Sequence, residues 1–296
     1  MHKPPSVSVI IPHYNDLAGL NACLDALAKQ RDISRNSYEI IVCDNDSPFE
    51  FTEIVRLVDG RARLVQTKDR GAGPARNEAV KHAKGQWLAF TDSDCVPDKN
   101  WLANGIAHLD PHTVIGGRML VSVESESALT GAEAFERVFA FNNQRYVERE
   151  NFSVTANLFC AKACFESVGP FRTQVSEDKD WCHRAAALGY SLRYEPTAVV
   201  SHPARQSFQS LIKKWARIDL ETYNLAMEKS SGSNLRWMFR AWLLPFSIAP
   251  HSVVCLRSRS ISGVKTRMLA IGTLIRLRMW RFKHYLELSR ERGGCE

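Results

Sequence analysis

The sequence predicts an α/β protein with a mixed, mostly parallel sheet covered by helices, followed by a helical, basic C-terminal region. Three observations carry this. Short β-branched apolar runs alternate with segments of helical period along the N-terminal third of the chain. Most of those runs end abruptly in polar or acidic residues. Charge is also unevenly divided: residues 1–204 hold 22 Lys/Arg against 26 Asp/Glu, a net of −4, whereas residues 205–296 hold 17 against 6, a net of +11. The break near Pro203 sets the expected boundary between a domain at 1–203 and a region at 204–296.

The elements follow in order. "SVSVIIP" (Ser6–Pro12) is apolar and β-branched, as a buried strand requires. Leu17, Leu20, Leu24 and Leu27 then recur at helical spacing, with Asn15 or Asp16 as the cap. Tyr38–Cys43 forms a second strand, "FEFTEIVRLV" a short helix and "ARLVQT" a third strand. "GPARNEAVKHAKG" is a helix stopped at Gly85, and "QWLAFTD" a fourth strand. Strands that alternate with helices in this way should lie parallel, with both faces covered.

With 296 residues and 45% hydrophobic content, the chain can build one large core with an appendage. Its eight cysteines form no Cys-x-x-Cys pair, and several sit inside apolar runs, which suits free thiols in a reducing compartment. Zinc is not expected, because Cys160 and Cys164 have no second ligand pair. "MHKPPSVSVIIP" has no apolar signal-peptide core, and the longest uncharged run, Ala241–Leu256, falls about four residues short of a membrane span. The expected location is cytoplasmic, either free or peripheral on the inner face of the cell membrane.

In such sheets, ligands bind beyond the carboxyl ends of the strands. Three polar clusters fall there: Pro12-His13-Tyr14-Asn15, Asp44-Asn45-Asp46 and Asp92-Ser93-Asp94. Any one of them alone is as well explained by turn capping; all three at one edge point to a crevice. "GAGPAR" (Gly71–Arg76) imitates a dinucleotide fingerprint. However, Arg76 stands where the third glycine belongs, and residues 12–15 contain no glycine. A P-loop is excluded because no Gly-Lys-Ser/Thr occurs. Asp-x-Asp at a strand end suits Mg²⁺ or Mn²⁺, which keep positions open for phosphate oxygens.

"VSVIIPHYN", "EIIVCDNDS", "GAGPARNEAVKHAKGQWLAFTDSDCVPDKNWL" and "VGPFRTQVSEDKDWCHRAAALGY" stand in an order that resembles family 2 glycosyltransferases of the GT-A fold, over about residues 6–203. The resemblance implies an inverting, metal-dependent transfer of a sugar from a nucleotide-diphosphate donor, UDP-linked, to a hydroxyl. It places Pro12, Tyr14 and Asn15 at the nucleotide, with Tyr14 stacking on the base, and Asp44 accepting from a base N–H. Arg76 would sit near the nucleotide or diphosphate, and Asp92 by the ribose or metal. Asp94 would be the direct metal ligand, and His202 a further metal or diphosphate contact. Asp178 would be the general base, with Glu177 or Asp180 as alternatives. The same segment also reads as a helix start, with acids in its first turn and Trp181, Ala185 and Leu188 facing inward. Asn157 and Trp181 fall to the sugar and acceptor side, with Gly116–Met119. Asn45 departs from the family's usual second Asp, and His13 from its usual small residue.

The expected partners are a nucleotide-sugar donor and a saccharide or lipid-linked saccharide acceptor, in cell-surface polysaccharide or glycolipid synthesis. Two other readings stay open: a catalytically silent membrane-binding scaffold of this fold, and a sugar nucleotidyltransferase, which would want a Gly-rich basic loop that "PHYNDLAG" lacks. Near the C-terminus, Met268, Ile271, Ile275, Met279, Phe282 and Leu286 form an apolar stripe flanked by Lys and Arg. Such a helix suits either an anionic membrane surface or packing on the rest of the chain. No zinc-finger, RNP or homeodomain pattern occurs, so a nucleic-acid partner is not expected.

Overall fold

The computed structural model describes residues 5–48, 51–228 and 233–293. Two compact units emerge. The first takes in residues up to Leu120, Asn142–Thr173 and Glu177–His202; the second takes in Val121–Phe141, Gln174–Ser176 and the residues from Pro203 onward.

The first unit is built on an eight-stranded sheet of order β3-β2-β1-β4-β7-β6-β8-β5. β1 (Val7–His13) is buried along its whole length and lies between β2 (Tyr38–Asp44) and β4 (Trp87–Phe90), parallel to both. β3 (Arg63–Gln66) extends the parallel half beyond β2. Its register sets the site: His13 lies opposite Asp44, and Ile10 opposite Phe90, so β1, β2 and β4 all release their polar clusters at one edge.

These four strands are parallel, and the sheet as a whole is mixed, as expected. β7 (Leu158–Ala161) runs antiparallel to β4, and β6 (Thr113–Ser122) antiparallel to β7. The two-residue β5 (Val96–Pro97) runs antiparallel to β8 (Ser191–Pro203). β5 and β7 are only two and four residues long, and Gly116-Gly117 interrupts β6, so neighbouring strands do more than local propensity to fix them.

Helices cover both faces. α1 (Leu17–Ala28) buries Leu20, Cys23, Leu24 and Leu27 and is capped by Asp16, whose carboxylate accepts the Gly19 N–H at 2.8 Å. α2 (Phe51–Val58) buries Ile54 and Val58. α3 (Ala72–Lys81) and α8 (Glu177–Ala187) pack Ala75, Ala79, Trp181 and Ala185 into one core with Ile10, Ile41, Leu88 and Phe90. Val9 and Ile11, on the alternate face of β1, are equally buried. Leu188, expected to face inward, lies just beyond the last turn of α8 and is exposed. α4 (Trp101–Ala107), α6 (Asn143–Glu150) and α7 (Lys162–Val168) complete the first unit.

The second unit is helical. α5 (Gly131–Phe139) opens on a capping box between Thr130 and Glu133. α9 (Phe208–Met227), α10 (Ser233–Phe246), α11 (Ile248–Arg257) and α12 (Val264–Gly293) follow. Two apolar clusters hold it together, one around Phe135, Leu211, Ala270, Leu274 and Leu277, the other around Tyr223, Trp237, Ala241, Tyr285 and Leu288. Buried charge is paired: Glu136 accepts from Lys214 Nζ and the Arg205 N–H, both at 2.7 Å. Asp219 binds Arg281 through two hydrogen bonds of 2.9 and 2.5 Å.

α12 buries only part of the stripe read from its sequence. Its packed face is Ala270, Leu274, Leu277, Tyr285 and Leu288; Ile271, Phe282 and Leu286 of the stripe pack half-buried beside it, while Met268, Ile275 and Met279 are exposed. Both sets recur at helical spacing, so periodicity could not choose between them.

Among the described residues, no single helix is long and apolar enough to cross a membrane. Asn234–Phe246 and Ile248–Arg257, bent by 50° at their junction, pass that test only as a pair.

Candidate active site

The loops after β1, β2 and β3 are sewn together by two short polar side chains. Asn15, in the left-handed region at φ 53°, donates its N–H to Ser47 Oγ at 2.9 Å. Ser47 in turn gives its hydroxyl to Asp44 Oδ1 at 2.5 Å and its N–H to Asp44 Oδ2 at 3.2 Å. Asn45 donates to the Asp69 carbonyl at 2.5 Å and accepts the Gly71 N–H at 2.7 Å, which fixes the start of α3. The expected base reader, Asp44, is buried, with its carboxylate accepting from Ser47 and lying 3.5 Å from Gln66 Nε2. Pro12 is buried in β1, whereas the Tyr14 side chain is 60% exposed, with its ring open for stacking. Ser47 was missed in the sequence, although a serine three residues after a strand-end Asp is an Asx-turn signal.

His13 is 1% exposed, and neither ring nitrogen has a hydrogen-bond partner. Burial lowers its pKa, opposed by the nearby carboxylates of Asp44 and Asp16. The native state thus refuses a proton that the unfolded chain accepts near pH 6.5, so stability should fall as pH drops through about 6.5. In urea denaturation, the midpoint loss between about pH 7.5 and 5.5 should be smaller in His13→Phe than in the parent.

Arg76 joins two parts of the site. It is 2% exposed and lies beneath the acids rather than among exposed side chains. Its guanidinium joins Asp92, at 2.5 Å from Nη2, to Glu177, on Nη1. Burial works against its charge, but Asp92 and Glu177 more than reverse this and raise its pKa. Gly73, one turn earlier on α3, leaves the space Glu177 needs: a Cβ there would collide with the Glu177 carboxylate. Arg76→Met should cost about 3–5 kcal/mol in equilibrium unfolding, since it leaves two partly buried carboxylates unpaired. Arg76→Lys should restore only part of this, because an ammonium lacks the planar fork.

Asp94 follows β4 and meets His202 through the short β5–β8 ladder. Val96 opposite Ser201 brings His202 Nε2 within 3.3 Å of Asp94 Oδ2. Ligand atoms of Asp92, Asp94 and Cys95 lie within 4.8 Å of one another. Cys95 is fully buried, and burial together with Asp92 and Asp94 raises its thiol pKa well above the ordinary value, so it makes a poor ligand beside two carboxylates. Carboxylates with one imidazole are a donor set that fits Mg²⁺ or Mn²⁺.

At the start of α8, Glu177 is committed to Arg76, and Asp180 to Arg172 at 3.0 Å and Arg184 at 2.9 Å. Asp178 is half-buried between them, with Oδ1 accepting the Lys179 N–H at 2.7 Å. Two expected acceptor-side residues are structural instead. Asn157 is fully buried: it accepts from Trp101 Nε1 at 2.9 Å and donates to the Arg118 and Ala198 carbonyls at 3.0 and 2.9 Å. Trp181 is fully buried, with Nε1 on the Gly169 carbonyl at 3.0 Å. Gly116 and Gly117 do not line a pocket either; a Cβ at either would collide with buried neighbours, Ser153 and Val147 for the first, Asn157 and Ala198 for the second.

A parallel sheet that delivers Asp-x-Asp to one edge, with His202 brought beside it from β8, has the architecture of the GT-A fold. The chain belongs to glycosyl transferase family 2: that family's model matches residues 8–165, and the model of glycosyl transferase family group 2 matches residues 87–279. It is 34% identical to the glycosyltransferase AglE of Haloferax volcanii over 225 residues, covering 72% of each chain. Among solved structures, the mannosyltransferase PcManGT of Pyrobaculum calidifontis, in complex with GDP-Man and Mn²⁺, superposes with a TM-score of 0.61. It is 20% identical, with 98% of this chain and 87% of that chain covered. TarS 1–349 of S. aureus, in complex with UDP-GlcNAc, gives a TM-score of 0.52 at 19% identity, covering 98% and 92%. The protein is a glycosyltransferase.

Proposed function

We propose that the chain is an inverting, divalent-cation-dependent transferase that moves a sugar from a UDP-linked donor to a hydroxyl of a saccharide or lipid-linked saccharide, in polysaccharide or glycolipid synthesis. Residues 1–203 act as the catalytic part. The observation that supports this best is the Arg76 fork. One guanidinium holds Asp92 and Glu177, so the start of α8, with Asp178, lies beside the Asp-x-Asp edge. Mn²⁺ and a nucleotide-sugar in complexes of the same fold point the same way.

In this reading, Tyr14 stacks on the base, while Asn15, Asp44 and Ser47 shape its seat. Asp94 and His202 would hold the cation, with Asp92, fixed by Arg76, beside it. When bound, the cation supplies positive charge where the diphosphate leaves. Asp178 takes the proton from the acceptor hydroxyl as its oxygen attacks the anomeric carbon; the bond to the diphosphate oxygen breaks on the opposite face, and configuration inverts. Arg76 positions both acids without touching substrate. Two flanking carboxylates with one kept protonated, as a hydrolase needs, are not required here.

The test is release of nucleotide diphosphate from a panel of UDP-sugars and GDP-mannose, with MnCl₂ and with EDTA. Metal-dependent turnover of a UDP-sugar is the expected result. Turnover of GDP-mannose alone would overturn the donor. Calorimetry showing no metal-dependent binding of UDP or GDP would favour the silent scaffold.

A further inference from the structure

We propose that the outer face of α10, with the end of α11, is a membrane-docking surface that lies in the interfacial layer of an anionic bilayer. Leu235, Phe239, Trp242 and Phe246 recur at steps of four, three and four along α10, so they form one stripe. They are 76, 65, 57 and 76% exposed, while the opposite face of the same helix is the packed one. There Trp237 and Ala241 are buried, and Trp237 stacks on Tyr285 of α12 at 4.1 Å. An α-helix that buries one face and shows large aromatic and aliphatic side chains on the other has an unfilled partner.

Charge identifies the occupant. From Ser233 to Leu286 the sequence has ten Lys/Arg and no Asp or Glu. Arg236 and Arg240 flank the stripe on α10, and Arg257 and Arg259 stand at and just beyond the end of α11; all four are exposed. Trp and Phe flanked by arginine, on two helices without a single acidic residue, match the headgroup layer of an anionic leaflet. A second copy of this chain would bring the same positive charge against itself, and nucleic acid would gain nothing from the Leu and Phe of the stripe. The geometry favours lying in the interface over crossing it. α10 and α11 are bent by 50° at their junction, and α10 is already covered on one side by its own unit.

The test is flotation of the full chain with phosphatidylcholine vesicles, with and without about 30% phosphatidylglycerol. Binding should be about tenfold greater on the anionic vesicles and should fall about tenfold in Phe239→Glu/Trp242→Glu. Both substituted side chains are exposed, so the fold and UDP-sugar turnover should be retained, which separates this face from the catalytic reading. Lipids brominated in the upper acyl chain should quench tryptophan emission of the parent, and less so that of Trp242→Phe, a variant that preserves ring packing if the double variant does not fold. Absence of flotation on anionic vesicles, or flotation and quenching unchanged by these substitutions, overturns the proposal. A parent dimer that becomes a monomer in Phe239→Glu/Trp242→Glu without vesicle binding would assign the face to a second copy instead.

Discussion

Asp94→Ala should lower sugar transfer by about 10³-fold, equivalent to about 4 kcal/mol of lost transition-state stabilisation. Asp94 is the acid that β4 delivers beside His202, whereas Asp92 is occupied by Arg76. In the proposed role, removing the Asp94 carboxylate would take away the main anionic grip on the cation while the Arg76 fork stays intact. The melting temperature should therefore change little, and metal-dependent UDP binding, read by calorimetry, should be lost together with activity. Asp92→Ala should behave differently. It strips one partner from a buried guanidinium, so stability should suffer along with turnover. Full activity of Asp94→Ala at saturating Mn²⁺ would remove the metal reading.

Asp178→Asn should lower kcat by about 10³-fold with a nearly unchanged KM for donor, within the range expected when a general base is lost. The amide is nearly isosteric, so the first turn of α8 can keep its shape, but it cannot accept the acceptor proton. Glu177→Gln is the control. Its carboxylate belongs to Arg76, so this change should weaken the fold as well as the rate. If Glu177→Gln abolishes transfer in a protein of parental stability while Asp178→Asn remains active, the base is Glu177.

The parallel half of the sheet was legible because β1, β2 and β4 are largely apolar runs that stop at polar or acidic residues, and the three clusters at one edge followed from that. The antiparallel strands β6, β7 and β8 were not. "VIGGRML" contains two glycines that exist for close approach, and "LFCA" is too short for period 2 to speak. Of the site, Asp94, His202 and Asp178 were picked out by the ordered motifs, and the structure brings Asp94 and His202 within 3.3 Å; their roles belong to the proposal above. Asn157 and Trp181 were assigned to the sugar and acceptor side because a polar or aromatic side chain near a motif reads the same whether it faces substrate or core. Only partners distant in sequence, such as Glu177 for Arg76 and Trp101 for Asn157, decide it. In the second unit, α12 carries apolar residues on more than one face, and tertiary packing centres on a face that includes only Ile271, Phe282 and Leu286 of the stripe.

The seven described cysteines are all buried and all reduced. Those at 23, 43 and 182 have thiols pushed toward or beyond the basic end of the scale by burial, with Cys43 at about 12. A thiol held protonated inside a close-packed core is invisible to alkylating reagents. Six of the seven lie in the first unit and Cys255 lies in the second, so the chain carries its own opening clock. Brief exposure to an alkylator, followed by mass analysis of each peptide, would time the loosening of the sheet separately from that of the helical unit, without any engineered label.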